Sequence, residues 1–432
     1  MERKMLKTLS EWKQTKDRMP LVLHGARQVG KTYIVLNFGK QNYKNSVYFN
    51  FEGNKELSKI FDRDLDPVRI IRELSVKSGQ SILKEETLIF FDEIQACEKA
   101  LTSLKYFYEN TPEYHVIAAG SLLGVAINRQ SYSFPVGKVE IKTLYPLDFE
   151  EFLWAVSGKE IAELIRMSFE KSSEFSLHQK ALDLYRTYLV TGGMPAAVQE
   201  YIDNKDFDYV SAKKKNIIDA YVADMAKYAT VSETTKLMAA FESIPAQLAK
   251  QNRKFQYKVI KSGARAYQYE TTLDWLKASG IIIKTIKTKE GKIPLNVFAD
   301  NSNFKVYMTD VGLLCEQFGV PAIMILSESE GYQNFKGALA ENYVAGALTI
   351  AGNHPYYWES NGKSEVDFVI QNKSGEIIPI EVKASDNVRS KSLNEFVKKY
   401  NPPYSVRISS KNFGFENNIK SVPLYAVFCL DE

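Results

Sequence analysis

The stretch Leu21–Thr32, LVLHGARQVGKT, decides how the rest of the chain is read. An apolar run ends in a turn bounded by Gly25 and Gly30, and Lys31-Thr32 open a helix-like pattern through Tyr33–Phe38. G-x-x-x-x-G-K-T between a strand and a helix is the spacing that cradles a triphosphate. Backbone N–H groups converge on phosphate oxygens where no Cβ intervenes, and the helix N-terminus adds partial positive charge. Gly25, Ala26, Arg27, Gln28, Val29, Gly30 and Lys31 are therefore expected to bind ATP, with the Thr32 hydroxyl on magnesium.

Working outward, Val47–Phe51 (VYFNF) and Thr87–Phe91 (TLIFF) read as strands, and the second stops at Asp92-Glu93. Two carboxylates at the end of an apolar strand are the expected partners of a phosphate loop. Asp92 would hold the metal and its water shell, and Glu93 would polarise the water attacking the γ-phosphate. A further strand, His115–Ala119, ends at Gly120-Ser121, where Ser121 is either a simple cap or, as resemblance to AAA-type ATPases implies, a γ-phosphate sensor. Val139–Ile141 supplies a fifth strand. Strands alternating with helices predict a parallel sheet with nucleotide at its carboxyl edge.

With 432 residues the chain is long enough for two to four domains. A net charge of +4 decides nothing about partners, so local clustering must. Cys97, Cys315 and Cys429 are scattered and odd in number, which argues for a reducing compartment and against a zinc site. The N-terminus lacks a signal-peptide core, and the longest apolar stretch, Val116–Ile127, is too short to span a bilayer. A cytoplasmic protein without a membrane partner is expected.

From Pro146 the pattern turns helical, through LDFEEFLWAVSG, Ile161–Phe169 and Leu177–Val190, until Thr191–Pro195 (TGGMP) breaks it. These helices read as a lid or as a helical linker bundle. Thr234–Lys250 and Ala266–Ala278 read as two more helices, followed by β-prone runs around Lys289-Glu290-Gly291, which together describe a winged helix. Between the helices, Lys250, Arg253, Lys254, Lys258, Lys261 and Arg265 run without an acidic residue, and Phe255 and Tyr257 interleave. Such a stretch is either a duplex-DNA contact, pairing with phosphates and stacking on bases, or a solvated face with its aromatics in the core.

The end of the chain holds a second constellation. In KGALAENYVAGALTI, Ala338, Glu341, Ala345 and Leu348 recur at near-helical spacing, which places Glu341 in an apolar stripe. Ser364–Ile370 reads as a strand with Asp367, and Ile377–Lys383 returns as a strand with Glu381 and Lys383 on one face. Glu341, Asp367 and Glu381 could hold magnesium or manganese. Lys383 could orient a water or offset charge on a phosphate.

GARQVGKT, FFDEIQ, AAGSLLGVAI, TGGMPAAV, FKVYMTDVGLL, KGALAENYV and PIEVKAS follow one another along almost the whole chain. Together they resemble the prokaryotic AAA-type ATPases with a C-terminal domain of unknown function related to PD-(D/E)xK nucleases. The resemblance implies an α/β multidomain chain. Its parts would be an ATPase core (1–145), a helical lid (146–215), a winged-helix-like domain (216–330) and a restriction-endonuclease-like α/β domain (331–432). One departure is Gly137-Lys138, where many relatives place an arginine; Arg129 is a nearby alternative, and a homo-oligomer stays open. Three functions compete: an ATPase controlling a metal-dependent nuclease on DNA, a nucleotide-switched DNA- or protein-binding regulator with an inactive nuclease-like fold, and a signalling or chaperone-like ATPase acting on protein partners.

Overall fold

The computed structural model describes residues 1–121, 134–228, 230–250, 253–360, 364–384 and 391–430. The chain divides into two compact units, Glu2–Tyr145 with Ala278–Gly280, and Pro146–Lys277 with Ile281–Glu432.

The first unit is built on a parallel sheet of β1 (Leu21–His24), β2 (Asn45–Asn50), β3 (Thr87–Asp92), β4 (His115–Gly120) and β5 (Glu140–Thr143). Its order is β2-β3-β4-β1-β5, so β4 lies between the loop strand and the strand ending in Asp92. Every residue of β3 and β4 is buried, as central parallel strands covered on both faces require. Phe51, Phe61 and Phe107 surround Phe91 edge-on at 5.6 to 6.1 Å between centroids. The helix Pro67–Ser78 starts at Asp66, whose carboxylate accepts from the Val68 N–H, and stops at left-handed Gly79.

The second unit carries a mixed eight-stranded sheet. Its strands are β6 (Ile282–Thr288), β7 (Ala299–Met308), β8 (Tyr356–Ser360), β9 (Ser364–Gln371), β10 (Ile377–Val382), β11 (Ser405–Ser409), β12 (Gly414–Glu416) and β13 (Ile419–Pro423). The order is β12-β13-β11-β10-β9-β8-β6-β7. The expected winged-helix hairpin is thus no free wing. Its second strand starts at Ala299, after the β-prone run at Lys292–Phe298. Its first strand pairs in parallel with β8, Ile286 opposite Tyr356. A boundary at 330/331 would cut this sheet between β7 and β8.

The boundary at 215/216 is not a boundary of packing either. Phe149, Tyr185 and Tyr188, on helices Phe149–Ser157 and His178–Thr191, meet Tyr343 of the long helix Glu330–Ile350 at 5.0 to 6.5 Å. The TGGMP break is pinned as well. Buried Asp310 accepts from the N–H groups of Gly193 (2.7 Å) and Leu313 (2.8 Å), and a Cβ on Gly193 would stand 1.9 Å from the Leu147 carbonyl oxygen. The expected lid is therefore part of the same body as the C-terminal sheet.

Candidate nucleotide site and C-terminal charge cluster

The loop after β1 is shaped by close approach. A Cβ on Gly25 would lie 2.1 Å from the Leu144 carbonyl oxygen, because Leu144 donates back to His24 at 2.7 Å. Gln28 and Gly30 both take positive φ, 66° and 95°, which bends the chain into the helix Lys31–Asn42. Gly30 is the residue that caps that helix and brings no capping side chain, so the first-turn N–H groups face outward as an anion site. The buried Lys31 ammonium donates to the carbonyls of Gly25 and Ala26, both at 2.8 Å. Arg3, a buried guanidinium, braces the loop from outside through the carbonyls of Val29 (3.1 Å) and Tyr145 (2.6 Å). Arg27 reaches Glu52 at 3.5 Å.

The Thr32 hydroxyl donates to Asp92 Oδ2 at 2.7 Å, which joins the helix start to the end of β3. Asp92 Oδ1 accepts from the Glu93 N–H at 3.0 Å, and its Oδ2 also accepts from the Tyr48 hydroxyl at 3.0 Å. Glu93 sits in the left-handed region, φ 50°, an uncommon backbone for a residue of its size. Its Oε2 accepts from Gln95 Nε2 at 2.5 Å and from the Ser121 hydroxyl at 3.5 Å, the outer limit for such a bond. The expected set from Gly25 to Thr32, with Asp92, Glu93 and Ser121, is thus gathered at one edge of the sheet. Magnesium would find a hydroxyl and a carboxylate already together here, oxygen donors of the kind it takes. Lys138 pairs with Glu109 at 3.0 Å, and Arg129 lies outside the described residues.

The C-terminal residues arrange differently. Asp367 on β9 and Glu381 on β10 lie across neighbouring strands, and Asp367 Oδ2 accepts from the Val382 N–H at 2.8 Å. Lys383 Nζ rests on Glu381 Oε1 at 3.0 Å, while Glu381 Oε2 is buried with no hydrogen-bond partner among the described residues. Glu341, the third carboxylate of the expected set, is engaged by bases and a phenol. Its carboxylate, 1% exposed, pairs with Arg253, with Lys305 Nζ at 2.9 Å and with the Tyr307 hydroxyl. A buried carboxylate needs compensation, and two cations from elsewhere in the unit supply it. No group of three or more His, Cys, Asp or Glu suited to a metal occurs among the described residues.

The basic stretch is corrected in part by the same contacts. Arg253 is consumed by Glu341, and Lys254 Nζ binds both oxygens of Glu359 at 2.5 Å, with Lys287 a further partner at 3.0 Å. Phe255 stacks on Phe304 at 5.4 Å and Tyr257 meets the same ring at 6.4 Å, so these aromatics pack within the fold. Lys258, Lys261 and Arg265 remain exposed, and Lys250 reaches Gln256 at 3.4 Å.

Residues 17–153 match the family model of an AAA domain. The match supports an AAA-type ATPase. Residues 182–323 and 336–427 match two domains of unknown function, DUF8612 and DUF4143. Among solved structures, the Walker-type ATPase PABY2304 of Pyrococcus abyssi is 16% identical over 73% of this chain and 95% of its own, with a TM-score of 0.45. The Aeropyrum pernix ORC1 protein in complex with DNA is 12% identical over 75% and 92%, with a TM-score of 0.31. No curated protein matches the chain. At these identities and scores the structural likenesses decide nothing about function.

Around the AAA-type site, sequence reading overlooks Arg3, Tyr48 and Gln95. Gln95 has a local signal, since it follows Glu93 by two residues. Arg3 and Tyr48 reach the site through long-range contacts that no spacing encodes. In the other unit Lys305 is overlooked because a lysine in the middle of a β-prone run reads as a solvent-facing residue, whereas it is fully buried.

Proposed function

We propose that the first unit binds ATP with magnesium and hydrolyses the γ-phosphate. The observation that carries this reading is the Thr32–Asp92 contact at 2.7 Å beside a Lys31 ammonium resting on loop carbonyls. Lys31 exchanges those carbonyls for phosphate oxygens, and the loop N–H groups donate to the same phosphates. Thr32 and Asp92 would hold magnesium, which would supply positive charge to offset that of the phosphates. Glu93 accepts the proton of the attacking water, and Ser121 and Gln95 fix the oxygen that does not.

Nucleotide titration and steady-state hydrolysis test this assignment. Lys31→Ala is expected to abolish tight ATP binding. Glu93→Gln is expected to bind ATP as wild type does and to lose about 10²- to 10⁴-fold in turnover. Equal loss of binding in both variants shows Glu93 to be misassigned, and unchanged hydrolysis in Lys31→Ala overturns the phosphate-loop reading.

A second reading concerns Asp367, Glu381 and Lys383, which we infer to be a regulatory rather than a cleaving site within a nuclease-like fold. The pairing of Glu341 with Arg253 and Lys305 favours this, because it withdraws the third carboxylate. DNA remains the proposed partner, through the exposed Lys258, Lys261 and Arg265. Plasmid DNA incubated with the whole chain and magnesium or manganese stays intact on this reading, and cleavage that disappears in Asp367→Ala overturns it.

A further inference from the structure

Strand β2 is an edge of the five-stranded sheet, separated from β1 by β3 and β4, and contributes nothing to the phosphate loop. Its side chains nonetheless reach the site. The β2–β3 register sets Tyr48 opposite Phe90 and Asn50 opposite Asp92. The Tyr48 ring leans on Phe90 at 5.4 Å, and its hydroxyl donates to Asp92 Oδ2 at 3.0 Å. That hydroxyl is itself oriented, because Asn50 Nδ2 donates to it at 3.2 Å and the Glu52 N–H holds Asn50 Oδ1 at 2.7 Å. A hydroxyl that accepts one bond is a stronger and better-aimed donor of the next.

We propose that Tyr48 is a positioning residue for the metal aspartate: a phenol on the edge strand that fixes the Asp92 carboxylate for a divalent cation bound with nucleotide. The inference rests on the ATPase reading above and adds to it the group that orients its metal ligand. Asp92 is 3% exposed, and its two oxygens are held from three directions, by the Glu93 N–H, by Thr32 and by Tyr48. Thr32 belongs to the helix that a nucleotide engages, so its geometry changes with the ligand. Tyr48 belongs to the sheet and does not. The phenol therefore keeps Oδ2 in place whether or not the loop is filled. Partners of this kind are worth about 10- to 100-fold in metal affinity in other sites. Packing is a separate matter. Tyr48 is 42% exposed, and Tyr48→Phe keeps the ring on Phe90 while removing only the hydroxyl.

The test uses the full chain and a non-hydrolysable ATP analogue, titrated in excess EDTA and then across a magnesium series. Tyr48→Phe is expected to keep the EDTA affinity within about twofold and to raise the magnesium concentration at half-effect about tenfold. Asn50→Ala, which leaves the phenol but removes its guide, is expected to shift that midpoint the same way by a smaller factor. A Tyr48→Phe midpoint equal to wild type overturns the inference. So does a parallel loss of affinity with and without magnesium, which would mark Tyr48 as a packing residue. Wild-type protein that binds the analogue without any response to magnesium also overturns it, with nucleotide binding intact. Wild-type protein that binds no analogue overturns the ATPase reading, and the inference falls with it.

Discussion

Two charge clusters, one in each unit, are held in opposite ways. At the AAA-type site, Asp92 is held by two hydroxyls and an amide N–H, and Lys31 donates to carbonyl oxygens. In the second unit, Glu341 faces Arg253 and Lys305, Glu359 faces Lys254 and Lys287, and Glu381 faces Lys383. A dipole can be exchanged for an incoming ion without exposing an opposite charge. A buried ion cannot leave its partner so cheaply, since the partner is then charged and dry. The first arrangement suits a ligand that comes and goes, and the second ties strands and helices to one another.

The largest effect that separates them is on stability. Lys305 is fully buried and meets Glu341 at 2.9 Å and Glu365 at 2.5 Å, so Lys305→Met leaves two carboxylates short of a cation. The expected cost is about 3–5 kcal/mol, read as faster amide exchange in β7 and in the helix Glu330–Ile350. Lys31→Met, by contrast, is expected to change stability by less than about 1 kcal/mol while abolishing ATP binding. If Lys31→Met destabilises its unit as much as Lys305→Met does, the distinction between exchangeable and locked charge is wrong.

An intermediate effect is expected with pH. Burial lowers His24 to about 4, with the Lys31 charge adding to it, and burial lowers His115 to about 4, with Arg18 and Lys13 adding to it. His115 also bonds the Tyr43 hydroxyl at 2.7 Å. Each histidine is neutral when folded and titrates near 6.5 when unfolded. Between those values the unfolded chain holds up to about two more protons, so the first unit loses stability as pH falls from 6.5 to 4. In the second unit Glu359 is lowered. Its burial acts upward, but the bonds from Lys254 and Lys287 outweigh that. Stability from this group is present above the ordinary carboxylate value and fades only as pH falls through the lowered one. Denaturant titrations at pH 7, 5.5 and 4.5 should show the first unit weakening first, and His24→Gln with His115→Gln should flatten that slope.

What could be read in advance follows from how local each signal is. Loop, strand and carboxylate pair each occupy a few consecutive residues, and the AAA-type site assembles from them because β1 and β3 end at the same sheet edge. The hairpin near Lys289 is also local, but its role as a wing is not. Which strand lies beside β6 depends on Tyr356, some seventy residues on. Glu341 carries a sound local warning, a carboxylate in an apolar stripe. Its partners stay hidden because Arg253 and Lys305 reach it only through the folded sheet, so in sequence the warning reads as a metal ligand. Lys383 pairs with Glu381, two residues before it in sequence, and is not among the bases that Glu341 meets.

The smallest effect divides the basic segment itself. Lys254 and Glu359 are both mostly buried, with side chains 21% and 11% exposed, but Lys287 stays on Glu359 when Lys254 is removed. Lys254→Ala is therefore expected to cost only about 1 kcal/mol and to leave the salt dependence of duplex-DNA binding as it was. Glutamate at Lys258, Lys261 and Arg265 together does the reverse. These side chains are exposed, so stability should move by less than about 0.5 kcal/mol for each change. The slope of log affinity against log salt should fall by roughly 0.9 for every phosphate that is no longer neutralised, and by at most about 2.7 for all three. A flattened slope in Lys254→Ala with unchanged stability would mean that Lys254 leaves Glu359 for DNA. The locked charge of the second unit would then be exchangeable after all.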